Sequence, residues 1–268
     1  MIATLLWELR QRRMAVFWWT LSSVVLSVAI LALYPSIRDQ AHDLNQVINQ
    51  LPNGLRQLKS GGANIVDVAN PVQFLNSQLF YITLPIPWII LAITRGSGVL
   101  GKDEQDRTLE LALARPVSRG GLLLAKGLSL AVEFVVVGGL TLLAVVLAAP
   151  LFGMHVGTIH LAVTTAYTAL FSLSFGLVAF TLQAAGSATR RAASAIAVLV
   201  SFGGYLLASL APLTHWLENP AKFAPYHYFA PDKILLGQPV HGLDAYLVGI
   251  LIIGTVVSYL GFRRRDIQ

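Results

Sequence analysis

Six long apolar runs dominate the chain, at residues 14–34, 79–100, 122–149, 161–185, 192–211 and 245–262. A bilayer core of ~30 Å needs about 20 apolar residues in a helix, and each run reaches or approaches that length. Arg95 interrupts the second run, and the third contains Lys126 and Glu133. The pattern predicts an all-α integral membrane protein with six transmembrane helices. Two shorter stripes add amphipathic elements. Ile2, Leu5, Leu6 and Leu9, followed by Arg10, Arg12 and Arg13, predict an N-terminal helix lying along the inner interface before the chain turns into span one. Ile37, Ala41, Leu44, Ile48 and Leu51 recur at helical spacing and predict a helix on the outer surface, inside a long loop at 35–78. Asn53-Gly54 and Gly61-Gly62 then mark turns in that loop. The first apolar run exceeds the ~7–15 residues of a signal-peptide core and no A-x-A site follows it, so it reads as an uncleaved span.

Prolines set the boundaries. Spans one, three and five run into Pro35, Pro150 and Pro212, and the residue before proline disfavours helix. Those three ends therefore share one side of the membrane. Charge supplies the orientation. Segments 1–13, 95–126, 187–191 and 263–265 hold 14 of the 19 basic residues, and the remaining five fall on the other side. By the positive-inside rule both termini are cytoplasmic.

Composition removes several classes. The chain is 55% hydrophobic and 12% charged, against roughly 25% charged in ordinary soluble domains. A soluble enzyme and a disordered tail are excluded. With no cysteine, disulfides, thiolate metal sites and thiol catalysis are excluded as well. The formal net charge of +6 admits a nucleic-acid reading only until its distribution is seen. It concentrates on the cytoplasmic side, so it is an orientation signal and no nucleic-acid partner is expected.

Candidate chemistry is sparse. Gly96-Ser97-Gly98-Val99-Leu100-Gly101-Lys102-Asp103 nearly spells a phosphate loop, but it ends a membrane helix rather than following a strand. Asp103 stands where a hydroxyl would hold magnesium, so the stretch is a decoy and no catalytic residue is assigned. The histidines at 42, 155, 160, 215, 227 and 241 all fall on the outer side without H-E-x-x-H spacing, and read as loop residues rather than a metal site. Glu133 is the lone acid within a span. A mid-bilayer charge costs ~2.5–3.5 kcal/mol on insertion scales, so Glu133 should face the bundle interior or line a transport path. Pro85 and Pro87 should kink or unwind span two, as a hinge or as packing. Ser172 with Gly176 permits close helix contact. Trp88 is a candidate for facing a lipid-like substrate, and the 225–229 run Pro-Tyr-His-Tyr-Phe for capping the outer face.

The segment 101–119, GKDEQDRTLELALARPVSR, is the most informative. Asp103, Asp106 and Thr108 are candidate helix caps, Leu109 and Leu113 share one face, and Arg115-Pro116 stops the helix. This predicts a short amphipathic helix between spans two and three. Its acidic residues followed by Thr108-Leu109-Glu110, the leucine-rich turn, Pro116-Val117-Ser118-Arg119 and then Lys126-Gly127 resemble the ABC type-2 (export) permease family. The resemblance extends to the N-terminal amphipathic segment, the six spans, Leu51-Pro52-Asn53-Gly54-Leu55 and the terminal Phe262-Arg263-Arg264-Arg265-Asp266, and so covers essentially the whole length. Asp106-Arg107 stands where members commonly carry a glycine.

The resemblance implies a transport subunit without its own ATPase site. Two permease copies, identical or related, would pair in membrane lipid. Each would receive a separate ATP-binding-cassette ATPase at the 106–115 coupling helix, with ATP and Mg bound by that partner. The docking contacts implied are Leu109, Glu110, Leu113 and Arg115, with Glu104, Thr108 and the 187–191 turn secondary. The rivals are an ATPase-independent carrier and a membrane-embedded enzyme or scaffold. A carrier should show several buried ionisable groups, and the sequence offers only Glu133. The substrate, whether drug, peptide, lipid or ion, is not encoded in any recognisable motif.

Overall fold

The computed structural model describes residues 2–50, 67–105, 119–211 and 215–264. Six helices in it are long and apolar enough to cross a membrane: Leu5–Asp39, Pro71–Leu100, Gly120–Leu151, Thr158–Ala184, Arg190–Leu210 and Leu243–Arg264. The protein is an all-helical integral membrane protein. Six crossings return both termini to one side, here termed the terminal face.

Helix α1 (Ile2–Asp39) is a single 38-residue helix. At 1.5 Å per residue it is about 57 Å long, far more than the bilayer core. Two expectations change here. The N-terminal stripe does not turn onto the interface as a separate element, because its Glu8 is drawn into the bundle. Helix also continues through Pro35, whose missing N–H and ring strain are tolerated within one turn of the end. Tyr34 Oη then donates to Ala69 O at 2.6 Å, tying the top of α1 to the start of span two. The outer amphipathic helix forms as α2 (Ala41–Asn49). Its Ala41 and Ile48 are buried with Val68, and Asn45 bonds both Asp67 Oδ1 and the Val68 N–H. The Asn53-Gly54 and Gly61-Gly62 turns lie outside the described residues.

Span two starts earlier than its apolar run suggests. It comprises α3 (Pro71–Phe74), a π-helical stretch Leu75–Thr83, and α4 (Pro85–Gln105). The unwinding expected at Pro85 and Pro87 takes this form. Neither proline can donate, and a proline ring clashes with the carbonyl four residues before it. The widened turn relieves both problems, with Leu84 N–H bonding Leu79 O at 2.9 Å. Span three is α5 (Arg119–Leu151), span four α6 (Thr158–Ala184), span five α7 (Arg190–Leu210) and span six α10 (Leu243–Arg264). Between the last two, α8 (His215–Ala221), a 3-10 turn at Pro225–His227 and α9 (Pro231–Leu235) fold over the face opposite the termini.

The closest helix pair is α4 with α6. A Cβ on Gly96 would stand 2.0 Å from Gly176 O, and one on Gly176 would stand 2.6 Å from Ala92 O. Backbones meet there because neither side chain exists. In lipid, helix association rests on such packing rather than on a hydrophobic difference. Gly176 thus serves intrachain contact. Gly254 of α10 likewise lies against Leu177, where Thr181 donates to Gly254 O and Ser258 donates to Thr181 Oγ1. Gly176→Leu should abolish recovery of monodisperse protein, since backbone has no room to give; a normal size-exclusion profile would contradict this packing.

Candidate functional site

Three helices bring charge together at the terminal end of the bundle. Lys126 on α5 is 1% exposed, and its Nζ donates to Glu8 Oε1 of α1 at 2.9 Å and to Val99 O of α4 at 2.7 Å. Glu8 Oε2 in turn accepts from Arg12 Nε at 3.2 Å, one helical turn along α1. Two turns beyond Lys126, Glu133 Oε2 lies 3.0 Å from Arg95 Nε of α4. Arg12 is close enough to act electrostatically on both Arg95 and Glu133. The spacing explains the stack. Residues four or seven apart share a helix face, so Glu8/Arg12 and Lys126/Glu133 each present two charged side chains along one seam, and α4 adds the Arg95 side chain and the Val99 carbonyl.

The sequence counts Arg95 among the cations of one side, does not single out Glu8, and leaves Glu133 as the lone acid in a span. All three are paired inside the bundle. Glu133 is 2% exposed and held between α4 and α5. Among the described residues, Arg95 Nη2 and Glu133 Oε2 have no hydrogen-bond partner, so the pair is an ion contact without full hydrogen bonding. The network contains three cations and two carboxylates. The signal that could have found it is the recurrence of charge at helical spacing facing apolar neighbours; the pairing itself joins residues 118 positions apart.

The remaining candidates fall as follows. Glu104 lies in the last turn of α4, and Thr108, Leu109, Glu110, Leu113 and Arg115 lie outside the described residues. The described ends on either side, Gln105 and Arg119, close α4 and open α5, the two helices that the network joins. Within the 187–191 turn, Thr189 Oγ1 caps α7 by accepting from Ala192 N–H, and the Arg190 guanidinium stands beside Gly98 of α4. The glycine-rich decoy is helix throughout, and Ser97 accepts from Ser194 Oγ at 2.8 Å as a packing contact. Trp88 does not face lipid. It is fully buried, with Nε1 donating to Ser23 Oγ at 3.1 Å. No group of three potential metal ligands occurs among the described residues.

At the opposite face, Tyr226 and Phe229 are buried rather than merely capping. Phe229 stacks on Phe171 with centroids 4.2 Å apart, and Tyr226 meets Phe171 edge-on at 4.9 Å. Burial, with the nearby phenols of Tyr81 and Tyr205, pushes the Tyr226 hydroxyl well above its ordinary pKa, so it stays neutral. The bundle is thus closed by aromatic packing at one end and pinned by charge at the other.

A family model described as ABC-2 family transporter protein matches residues 2–267. The chain belongs to that family. No curated protein is found to match it. This ABC-2 permease is accordingly a membrane subunit of an ABC transporter, of a family that associates with an ABC ATPase partner. Its charge network lies where the spans flank the segment between α4 and α5.

Removing Lys126 alone should cost about 3–5 kcal/mol, because it leaves the buried Glu8 carboxylate with only Arg12 and the Val99 carbonyl without its lysine donor, whereas removing both partners should cost less. Thermal unfolding in detergent checks this: Lys126→Met should lower the midpoint sharply, and Lys126→Met with Glu8→Gln should recover part of the loss. Equal midpoints for the single and double variants would contradict the pairing.

Proposed function

We propose that the chain is the permease of an ATP-driven exporter in a bacterial inner membrane, with both termini cytoplasmic. The observation that supports this reading, beyond the family, is the ion network joining α1 to α4 and α5, the two helices that precede and follow the 106–118 segment in the chain. A partner ATPase docked on that segment through Leu109, Glu110, Leu113 and Arg115, with Glu104 and Thr108 secondary, would push α4 and α5 together. Through Glu8, α1 would follow. ATP and Mg belong to the partner, and this chain needs no cofactor of its own. Two permease copies, identical or related, complete the pathway in the lipid bilayer. Glu133, Pro85 and Pro87 then act as the polar joint and the flexible turn of the moving bundle.

One finding bears on the rival reading of an ATPase-independent carrier. Buried ionisable groups number more than the single Glu133 that the sequence suggested, so that criterion no longer separates the two readings. Their mutual pairing argues for structure over ion relay. Leu109→Ala with Leu113→Ala should abolish co-purification of an ATPase chain and the transport-linked ATP hydrolysis, while the permease still folds. Retained assembly would refute docking at this segment; transport without any ATPase would favour the carrier.

A further inference from the structure

Between α1 and α5 runs an open trough of about 730 Å³, walled by apolar side chains such as Phe17, Val24, Val136 and Leu143. Its lining runs along α1 from Leu9 to Val24, about 22 Å of helix, so it is long and narrow. Three polar groups break the apolar lining, and one of them, Glu133, is already paired with Arg95 of α4. Arg13 lies toward the terminal end, exposed, and makes no ion pair among the described residues. Thr20 lies two turns deeper, and its buried Oγ1 has no hydrogen-bond partner. That is unusual in this chain. The buried threonines Thr141, Thr164, Thr165 and Thr168 each return their hydroxyl to the carbonyl four residues earlier. The Thr20 hydroxyl is thus left unpaired within the trough wall, enclosed from solvent.

Charge selects the occupant. At the terminal ends of α1, α4 and α5 the described side chains include five cations, at 10, 12, 13, 95 and 126, against the two carboxylates Glu8 and Glu133. Both carboxylates already face cations inside the bundle. The mouth of the trough is therefore positive, and a juxtamembrane cation attracts anionic lipid. We propose that the α1–α5 trough binds one anionic phospholipid, with its phosphate on Arg13 and an acyl chain along Phe17, Val136 and Leu143. In the orientation proposed above this lipid belongs to the cytoplasmic leaflet, but its binding does not depend on ATPase docking.

The full chain, with any chains that co-purify, is placed in nanodiscs of equal phosphatidylglycerol and phosphatidylcholine. It is then extracted into detergent, and retained phospholipid is measured by mass spectrometry. Phosphatidylglycerol should be retained preferentially. Arg13→Gln should reduce that preference about fivefold, the worth of one juxtamembrane cation, and Arg13→Lys should keep it. Val136→Trp, which fills the trough, should lower retention of both lipids. Equal retention of the two lipids, or a preference untouched by Arg13→Gln, would overturn the site. So would efficient oxidative dimerisation of Phe17→Cys, since a second copy would then cover the trough.

Discussion

A lysine ammonium can stay charged inside an apolar bundle only where oxygens from its surroundings replace water. Lys126 finds a carboxylate on α1 and a carbonyl on α4, and that requirement organises the terminal half of the molecule. It explains why α1 remains one helix from Ile2 rather than bending onto the interface. An N-terminal turn lying flat would have carried Glu8 away from Lys126. The loss would leave a buried cation without its counter-charge, which outweighs the gain from laying Leu5 and Leu9 on lipid. Arg95 and Glu133 repeat the same logic two turns deeper.

The two ends of the bundle are held by different forces. At the terminal end, ion pairs fix α1, α4 and α5 to one another over short distances. Next to Arg95, α4 and α6 touch backbone to backbone at Gly96 and Gly176, which leaves no slack between them. At the far end, Tyr226 and Phe229 pack on Phe171 beside the π-helical stretch of span two. Dispersion contacts and a widened helical turn tolerate sliding better than a charge pair does. Motion imposed at the 106–118 segment would therefore be carried rigidly through the charged end and absorbed at the aromatic end.

Much of the architecture was legible in the sequence because lipid imposes a simple rule of length and apolarity. All six spans follow from it, and so does α2 from its stripe of Ala41, Leu44 and Ile48. What escaped were features set by contact between distant segments. Glu8 lies in an arginine-rich stretch that reads as solvated, and only the folded bundle brings it to Lys126. Arg95 reads as a break in the apolar run of span two, yet its partner Glu133 belongs to span three. Trp88 offered an aromatic surface whose burial depends on Ser23, 65 residues away. Prolines misled at span ends, where Pro35 and Pro150 are accommodated inside helix. The docking residues between 106 and 115 rest on the sequence and the family alone.

The rigid coupling of α1 to α5 can be measured directly. Spin labels at the lipid-exposed Leu6 and Leu124 report the separation of the two helices beside the Glu8–Lys126 pair. In the assembled transporter, with its ATPase either nucleotide-free or trapped with ATP, a clamped pair predicts one narrow distance distribution that does not shift between states. A broad distribution, or a second population appearing with ATP, would show that α1 and α5 separate during the cycle.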